Sequence, residues 1–188
     1  MDVDADLSDS APLVRLATWL PKDALWLTSS LSRARQTAEA LRQHIDHIGP
    51  PTASPVPVIV ETFNEQHFGD WQGLTHDQIA HKRPDEARAF WANAANAHPP
   101  GGESFRDVIE RVAPTVHQFC QDNPGADIIA VAHAGSIRAA LALALDLTPD
   151  KALCLDLGHL SLSCIDWIKS EPKEGGVWRV CNINQSAT

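Results

Sequence analysis

Short apolar runs alternate with longer stretches of helical periodicity along the chain. Three of these runs are bounded by loop residues, which is typical of buried strands. They are ALWLTSS at 24–30, PVIVE at 57–61 and DIIAVA at 127–132. Segments with apolar side chains at helical spacing follow the first and the third run. Strands that alternate with helices predict an α/β protein.

The helical segments each carry apolar side chains on one face. We expect helices over 12–20, 34–48, 77–81, 85–97, 105–119 and 137–145. Ser8 or Asp9 is the expected cap of the first, because short polar side chains accept hydrogen bonds from free backbone N–H groups. The stretch FNEQHFGDWQG at 63–73 has no sustained period and predicts a loop. Two final apolar segments, 159–168 and 176–184, predict a β-hairpin with its turn near Gly175 and Gly176.

Length, composition and charge narrow the class of protein. A chain of 188 residues that is 44% hydrophobic suffices for one domain with a core, so we expect a single domain over 1–188. The net charge of −9 argues against a nucleic-acid partner. No apolar run approaches the ~20 residues of a membrane helix, and MDVDADLSDS is too acidic for a secretory signal, so we expect a cytoplasmic protein. The four cysteines form no CxxC pair, and we expect reduced thiols that mostly fill the core.

Polar residues follow two of the predicted strands at their carboxyl ends, where open α/β sheets bind ligands. Ser29 and Ser30 precede Arg33 at the start of a helix, and His133 precedes the helix that begins near Gly135. Hydroxyls, free backbone N–H groups and a guanidinium can converge there on one anion. Each signal has an ordinary alternative, since an arginine in a first helical turn is commonly solvated and a histidine at a strand end is commonly structural.

Four segments resemble motifs of the histidine phosphatase superfamily, whose members are phosphoglycerate-mutase-like. They are SSLSRARQTAEAL at 29–41, EQHFGDWQG at 65–73, PPGGES at 99–104 with a helix reaching Arg111, and VAHAGSIRAAL at 131–141. The compact build and the GGES segment look most similar to the alpha-ribazole phosphatase and broad-specificity branch. The resemblance implies a three-layer αβα sandwich with a mainly parallel sheet.

The resemblance also implies a reaction in which a histidine attacks phosphorus and water then hydrolyses the phosphohistidine. Arg33 and Ser30 would bind the phosphoryl oxygens, and His133 would donate to them as charge builds. Glu65 would protonate the leaving alkoxide, which requires a carboxyl that holds a proton near neutral pH, and burial beside aromatic side chains would favour that. Glu61 is a competitor for this role. The implied substrate is a small phosphorylated metabolite, with no cofactor and no metal.

The chain departs from the family pattern in one serious respect. The family's first strand ends in Arg-His followed by Gly or Ala, which supplies the nucleophile, and no such pair occurs here. The resemblance implies that the absent strand lies inside the sheet, beside the strands before Ser29 and His133. Without that strand, buried backbone N–H and C=O groups would lack hydrogen-bond partners, and each such group costs on the order of 1–3 kcal/mol. The free energy of unfolding of a whole domain is only roughly 5–15 kcal/mol. We therefore expect the nucleophile to be encoded upstream of Met1, the alternative being a non-catalytic remnant.

Three functions follow from these observations. The first is a metal-independent phosphomonoester hydrolase, and within the family a phosphoglycerate mutase fits less well because those enzymes resemble a longer chain. The second is a non-catalytic protein that binds phosphate ligands through Arg33 and His133. The third is an interaction protein whose open sheet edge pairs with a partner strand, including that of a second copy in a homodimer.

Overall fold

The structure is a computed structural model that describes residues 2–47, 55–169 and 175–187. The helices are α1 (Ala11–Ala17), α2 (Ser32–Asp46), α3 (His76–Lys82), α4 (Pro84–Trp91), α5 (Phe105–Asp122), α6 (Ala134–Leu145) and α7 (Pro149–Leu153). The strands are β1 (Leu25–Thr28), β2 (Val58–Ile59), β3 (Ile128–Val131), β4 (Ser161–Lys169) and β5 (Gly176–Ser186). Helices and strands alternate as predicted, so the α/β class is confirmed.

Three strands form a parallel sheet in the order β2-β1-β3. The register sets Thr28 beside Ile59 on one edge of β1 and beside Val131 on the other. Because β1 and β3 run in the same direction and end side by side, the loops that begin at Ser29 and Ala132 leave the sheet at one place. This register brings two distant sequence motifs together.

Helices cover both faces of this sheet, as the three-layer prediction requires. Successive side chains of a strand point to opposite faces. Trp26 packs with Leu13 of α1 and Leu41 of α2 in one apolar cluster. Leu27 packs with Val108 of α5 in the other, to which α6 and α7 also contribute. Trp26 and Leu27 are almost fully buried, and side chains of this size contribute about 1.5–3 kcal/mol each when buried.

Two helices end earlier than their apolar patterns suggest. The first ends at Ala17 rather than at residue 20, where the Thr18 hydroxyl donates to the Arg15 carbonyl at 2.7 Å. The N-cap residue is Ser10, whose side chain makes no capping hydrogen bond, so the predicted caps Ser8 and Asp9 are wrong. The Asp9 carboxylate, one position earlier, accepts the Ala11 N–H. The helix predicted over 85–97 ends at Trp91, and the following residues form turns. The helix predicted over 34–48 is α2, which ends at Asp46, and residue 48 lies outside the described residues.

The terminal segments form the predicted antiparallel hairpin. Ser161 pairs with Ser186 and Trp167 with Trp178, and the register shifts between these pairs on either side of Cys164. Gly175 has a φ of 144°, a conformation that favours glycine, at the end of the turn. Residues 170–174 of this turn lie outside the described part of the chain.

The strand before Ser29 cannot border an absent strand, which corrects the sequence-based expectation. Strand β1 already pairs with β2 on one edge and with β3 on the other. Among the described residues, the edges without a partner strand are those of β3, β4, β2 and β5. Ile129 of β3 and Leu162 of β4 nevertheless pack in one apolar cluster. Ala130 in the middle of β3 is exposed, which is unusual for a parallel strand in a covered sheet.

The cysteines do not fill the core, contrary to expectation. Cys154 and Cys181 are exposed, Cys120 and Cys164 are half-buried, and all four are free thiols. In the described part of the chain, no helix combines the length and the apolar character needed to cross a membrane.

Candidate active site

The loops after β1 and β3 meet through a direct contact between side chains. The Ser29 Oγ and the His133 Nε2 lie 2.7 Å apart, within hydrogen-bond distance, and the imidazole tautomer decides which atom donates. Both side chains are buried. The Leu31 N–H also donates to the Ser29 Oγ at 3.3 Å. The register of β1 and β3 thus joins residues that are 104 positions apart in the sequence.

Ser30 links the start of α2 to the loop that carries the candidate acid. Its N–H and its hydroxyl both donate to the Asn64 Oδ1, at 2.9 Å and 3.0 Å. Its two donors therefore engage Asn64 in this structure, and phosphate binding by Ser30 stays a prediction. Asn64 directly precedes Glu65, so this contact positions the acid loop against α2.

Arg111 and Glu103 hold the acid loop in place. The Arg111 guanidinium donates to the Glu103 carboxylate at 3.0 Å and 2.8 Å, and also to the carbonyls of Thr62 and Asn64. Glu103 in turn accepts the His67 N–H at 2.8 Å. Buried carbonyls need such partners, and hydrogen bonds to a charged group contribute about 1.5–3 kcal/mol. The arginine of the third family segment, Arg111, therefore supports the acid loop.

The same loop docks against the PPGG turn with no space for a side chain. Gly69 has a φ of 52°, and a Cβ there would lie 2.0 Å from the Pro100 carbonyl oxygen. The Asp70 N–H donates to that oxygen at 2.9 Å. Glycine is therefore required by both backbone conformation and close approach.

Glu65 points at the amino terminus of α6. Its Oε1 accepts the Gly135 N–H at 3.0 Å and the Gln66 N–H at 2.8 Å. A Cβ on Gly135 would lie 2.3 Å from this oxygen, so a side chain there would displace the carboxylate from this position. Free N–H groups and the helix dipole favour an anion at this position. Glu65 thus contacts the His133 loop, whereas Glu61 lies in a short 3-10 turn at the cleft wall.

His133 is held in its neutral form. Its side chain is buried, and burial together with the charges of Arg33 and Arg111 lowers its pKa to about 4, against an opposing effect of Asp2. The His133 N–H of the backbone donates to the Ser136 hydroxyl, and that hydroxyl donates to the His133 carbonyl. These contacts fix the residue at the start of α6. The same positive charges that disfavour an imidazolium would attract a phosphate dianion.

A cleft of about 690 Å³ adjoins these residues. Arg33, Glu65 and Arg111 line it, whereas the buried His133 does not, so the cleft stops short of the imidazole. Trp71, His76 and Trp91 also contribute to its lining. Of the two tryptophans in this lining, Trp71 is buried and Trp91 is 46% exposed.

Sequence reasoning missed Asn64 and the role of Glu103. Asn64 carries no motif of its own, and only its position before Glu65 could have marked it. Glu103 and Arg111 are eight residues apart, close to two helical turns, and this spacing was the available signal for their pairing.

Two loops at the carboxyl ends of parallel strands, a buried histidine and a carboxylate at a helix amino terminus define an α/β protein with a candidate site for an anionic ligand. The sequence profile of the histidine phosphatase superfamily (branch 1) matches residues 11–177. The chain belongs to this superfamily, which consists of phosphate-transferring and phosphate-releasing enzymes.

Named relatives and solved structures agree with this membership. The chain is 37% identical over 160 residues to glucosyl-3-phosphoglycerate phosphatase of Mycolicibacterium vanbaalenii, covering 79% of this chain and 67% of that protein. It is 30% identical over 135 residues to 2,3-bisphosphoglycerate-dependent phosphoglycerate mutase of Nitrobacter winogradskyi, of which it spans only 61%. The structure of a mycobacterial glucosyl-3-phosphoglycerate phosphatase with inorganic phosphate superposes with a TM-score of 0.80 at 31% identity, covering 100% of this chain and 90% of that one.

Proposed function

We propose that this protein hydrolyses a phosphate monoester of a small metabolite through a phosphohistidine intermediate. The contacts that join the family segments carry this proposal: Ser29 meets His133, and Glu65 meets Gly135. They gather an acid, an imidazole and the start of α2, which bears Arg33, around one place. Phosphoryl transfer depends on such positioned donors more than on covalent chemistry by the protein.

Each residue has a defined part in the proposed reaction. An attacking histidine nitrogen forms a bond to phosphorus while the bond from phosphorus to the leaving oxygen breaks. Arg33 and His133 donate to the phosphoryl oxygens, and Glu65 gives its proton to the leaving alkoxide. A water oxygen then forms a bond to phosphorus while the bond from phosphorus to the histidine nitrogen breaks, Glu65 takes up a proton from that water, and inorganic phosphate leaves.

Substrate binding requires Glu65 to release the Gly135 N–H. In this structure the carboxylate occupies the anion position at the start of α6. A phosphoryl oxygen that takes this N–H would displace the carboxylate toward the leaving group, where a general acid is needed. The position of Glu65 thus fits both a ligand-free site and its proposed role.

We assign the attacking histidine to a further strand, encoded upstream, that pairs with β3 and β4. Support comes from the unpaired edge of β3, from the exposure of Ala130 and from the apolar cluster that Ile129 and Leu162 share. A strand in this position would satisfy backbone groups on both edges. Its carboxyl end would reach the same sheet edge as His133 if it ran parallel to β3.

The leaving group of the substrate is proposed to lie along the aromatic wall of the cleft. The cleft volume of about 690 Å³ exceeds what a phosphate alone would fill. The rings of His76 and Trp91 lie 4.9 Å apart, and nearly half of the Trp91 surface is accessible. Because relatives are named as glucosyl-3-phosphoglycerate phosphatases, we propose a phosphorylated sugar or sugar-acid derivative. Aromatic faces commonly supply contact area to such ligands.

The open edges of β3 and β4 support a second candidate, an interaction protein that captures a partner strand or forms a homodimer. Under this alternative the Arg33 and His133 region binds phosphate ligands without turning them over. The two candidates differ in phosphate release and in whether self-association depends on an unpaired edge.

A trapping experiment tests the proposed reaction. The native gene with its upstream sequence is expressed, and the product is mixed with a 32P-labelled alkyl phosphate and quenched in alkali. We expect label on a histidine that is not His133, together with released inorganic phosphate. Label on His133, or release of phosphate without any labelled histidine, would exclude this mechanism.

A further inference from the structure

A cluster of metal-ligating side chains lies on the terminal hairpin, away from the candidate active site. Cys164 and Asp166 are two residues apart on β4 and therefore share a face. Cys181 of β5 joins them because the strand register shifts next to Cys164, which pairs with Asn182. One ligand atom of each residue lies within 4.8 Å of those of the other two.

We propose that Cys164, Asp166 and Cys181 bind one thiophilic divalent cation, Zn²⁺ in the first place, with water as the fourth ligand. Two thiolates and a carboxylate are donors that zinc takes in tetrahedral sites. Zinc–sulfur bonds of about 2.3 Å would bring the two sulfurs to about 3.8 Å from one another. Because the two sulfurs lie within 4.8 Å of one another, they need to approach by at most about 1 Å to reach this geometry.

Arg179 completes the charge balance of the site. Its guanidinium donates to the Asp166 Oδ2 at 2.8 Å and 2.5 Å, and the Cys181 thiol donates to the same oxygen at 3.2 Å. In the described part of the chain no hydrogen bond reaches the other carboxylate oxygen, which leaves it open for a metal. Two thiolates, one carboxylate, a divalent cation and one guanidinium sum to zero charge. Partners of this kind orient ligating carboxylates.

Access and position suit a structural ion. Cys181 is exposed and the Asp166 side chain is one-third exposed, so an ion can enter from solvent. The ion would cross-link β4 and β5 in addition to their strand pairing. Since none of these three residues lines the cleft beside Glu65, the metal site does not depend on the proposed phosphatase reaction.

Cadmium titration of the reduced 188-residue chain tests the proposal. Binding is followed by calorimetry and by the ultraviolet charge-transfer absorption between thiolate and cadmium. We expect one Cd²⁺ per chain and competition by Zn²⁺. Cys181→Ser and Cys164→Ser should each weaken binding by more than about 100-fold, because an outer-shell change alone costs 10–100-fold. Asp166→Asn should weaken binding without removing the charge-transfer band.

Cys154→Ser is the matched control, since Cys154 is exposed and outside the cluster. Its binding curve should equal that of the unmodified chain. If Cys164→Ser fails to fold by circular dichroism, the exposed Cys181 and Asp166 variants carry the test. Cadmium binding that survives in Cys181→Ser, or that disappears in Cys154→Ser, would overturn the proposal. Failure of the unmodified reduced chain to bind cadmium would also overturn it, whether or not Cys164 and Cys181 form a disulfide once the reductant is withdrawn.

Discussion

The parallel sheet and the terminal hairpin are held together in different ways. At the carboxyl ends of β1 and β3, contacts join residues far apart in the chain, as Ser29 and His133 do across 104 positions. In the hairpin the ion pair between Arg179 and Asp166 spans 13 positions. The side chains of the first contact are buried, whereas those of the second are partly exposed and closer together in the sequence. A site that needs fixed donors is better placed in the first, because its geometry is determined by the whole core.

Of these substitutions, Glu65→Gln should cause the largest loss of activity on an alkyl phosphate. In the upstream-extended protein we expect kcat on an alkyl phosphate to fall about 1,000-fold, since a positioned general acid contributes 10²–10⁴. In the first turnover, before the phosphohistidine is hydrolysed, release of p-nitrophenol from its phosphate should change much less, because that leaving group needs no proton. Glu61→Gln is the matched control and should leave both rates near normal. Equal losses on the two substrates would remove Glu65 from the acid role.

The burial of His133 predicts that the protein loses stability in weakly acidic solution. Its pKa of about 4, against 6.5 for an exposed histidine, means that the unfolded chain binds a proton before the folded one as the pH falls. The free energy of unfolding should therefore decrease by about 3 kcal/mol between pH 6.5 and pH 4. Urea unfolding of His133→Asn should lack this component. His117→Asn, beside the hairpin, should retain it, and a slope unchanged in His133→Asn would contradict the assignment.

Arg33→Ala should lower kcat for phosphate release about 100-fold in the extended protein, as expected when one charge-stabilising donor is lost. Arg35→Ala is the control, since Arg35 lies on the same helix and is exposed. We expect that variant to keep full activity. Comparable losses in both variants would mean that α2 contributes general positive charge rather than a specific phosphate contact.

Trp91→Ala should have the smallest effect, and that effect should be a rise in KM rather than a change in kcat. Loss of an aromatic contact of about 0.5–1.5 kcal/mol predicts a rise of up to about tenfold in KM for a sugar phosphate, with kcat little changed. Ethyl phosphate, which is too small to reach the wall, should show no change. Trp178→Ala in the hairpin is the control and should not alter either KM. A fall in kcat with unchanged KM would exclude Trp91 as a substrate contact.

The sequence predicted what local patterns encode. The alternation of strands and helices follows from contiguous stretches of sequence, as do the loops that bear Ser29 and His133. The α/β class and the family segments could therefore be predicted. The position of β1 between two strands was not, because strand order is a tertiary property. Two further features were not predicted for the same reason. They are the exposure of Trp91 and the contacts that support the acid loop, which involve Asn64, Glu103 and Arg111. Two helices were predicted to end too late. These are α1, after which the Thr18 hydroxyl donates to the Arg15 carbonyl, and α4, after which the chain forms turns.

The most direct test of the account follows the ring of His133 by NMR in the 188-residue chain, with and without inorganic phosphate. Without phosphate we expect a pKa near 4. Saturating phosphate should raise it, because a nearby anion favours the imidazolium, and Arg33→Ala should blunt that response. An ordinary pKa near 6.5, or a low pKa that ignores phosphate, would contradict the claim that His133 and Arg33 form one phosphate site.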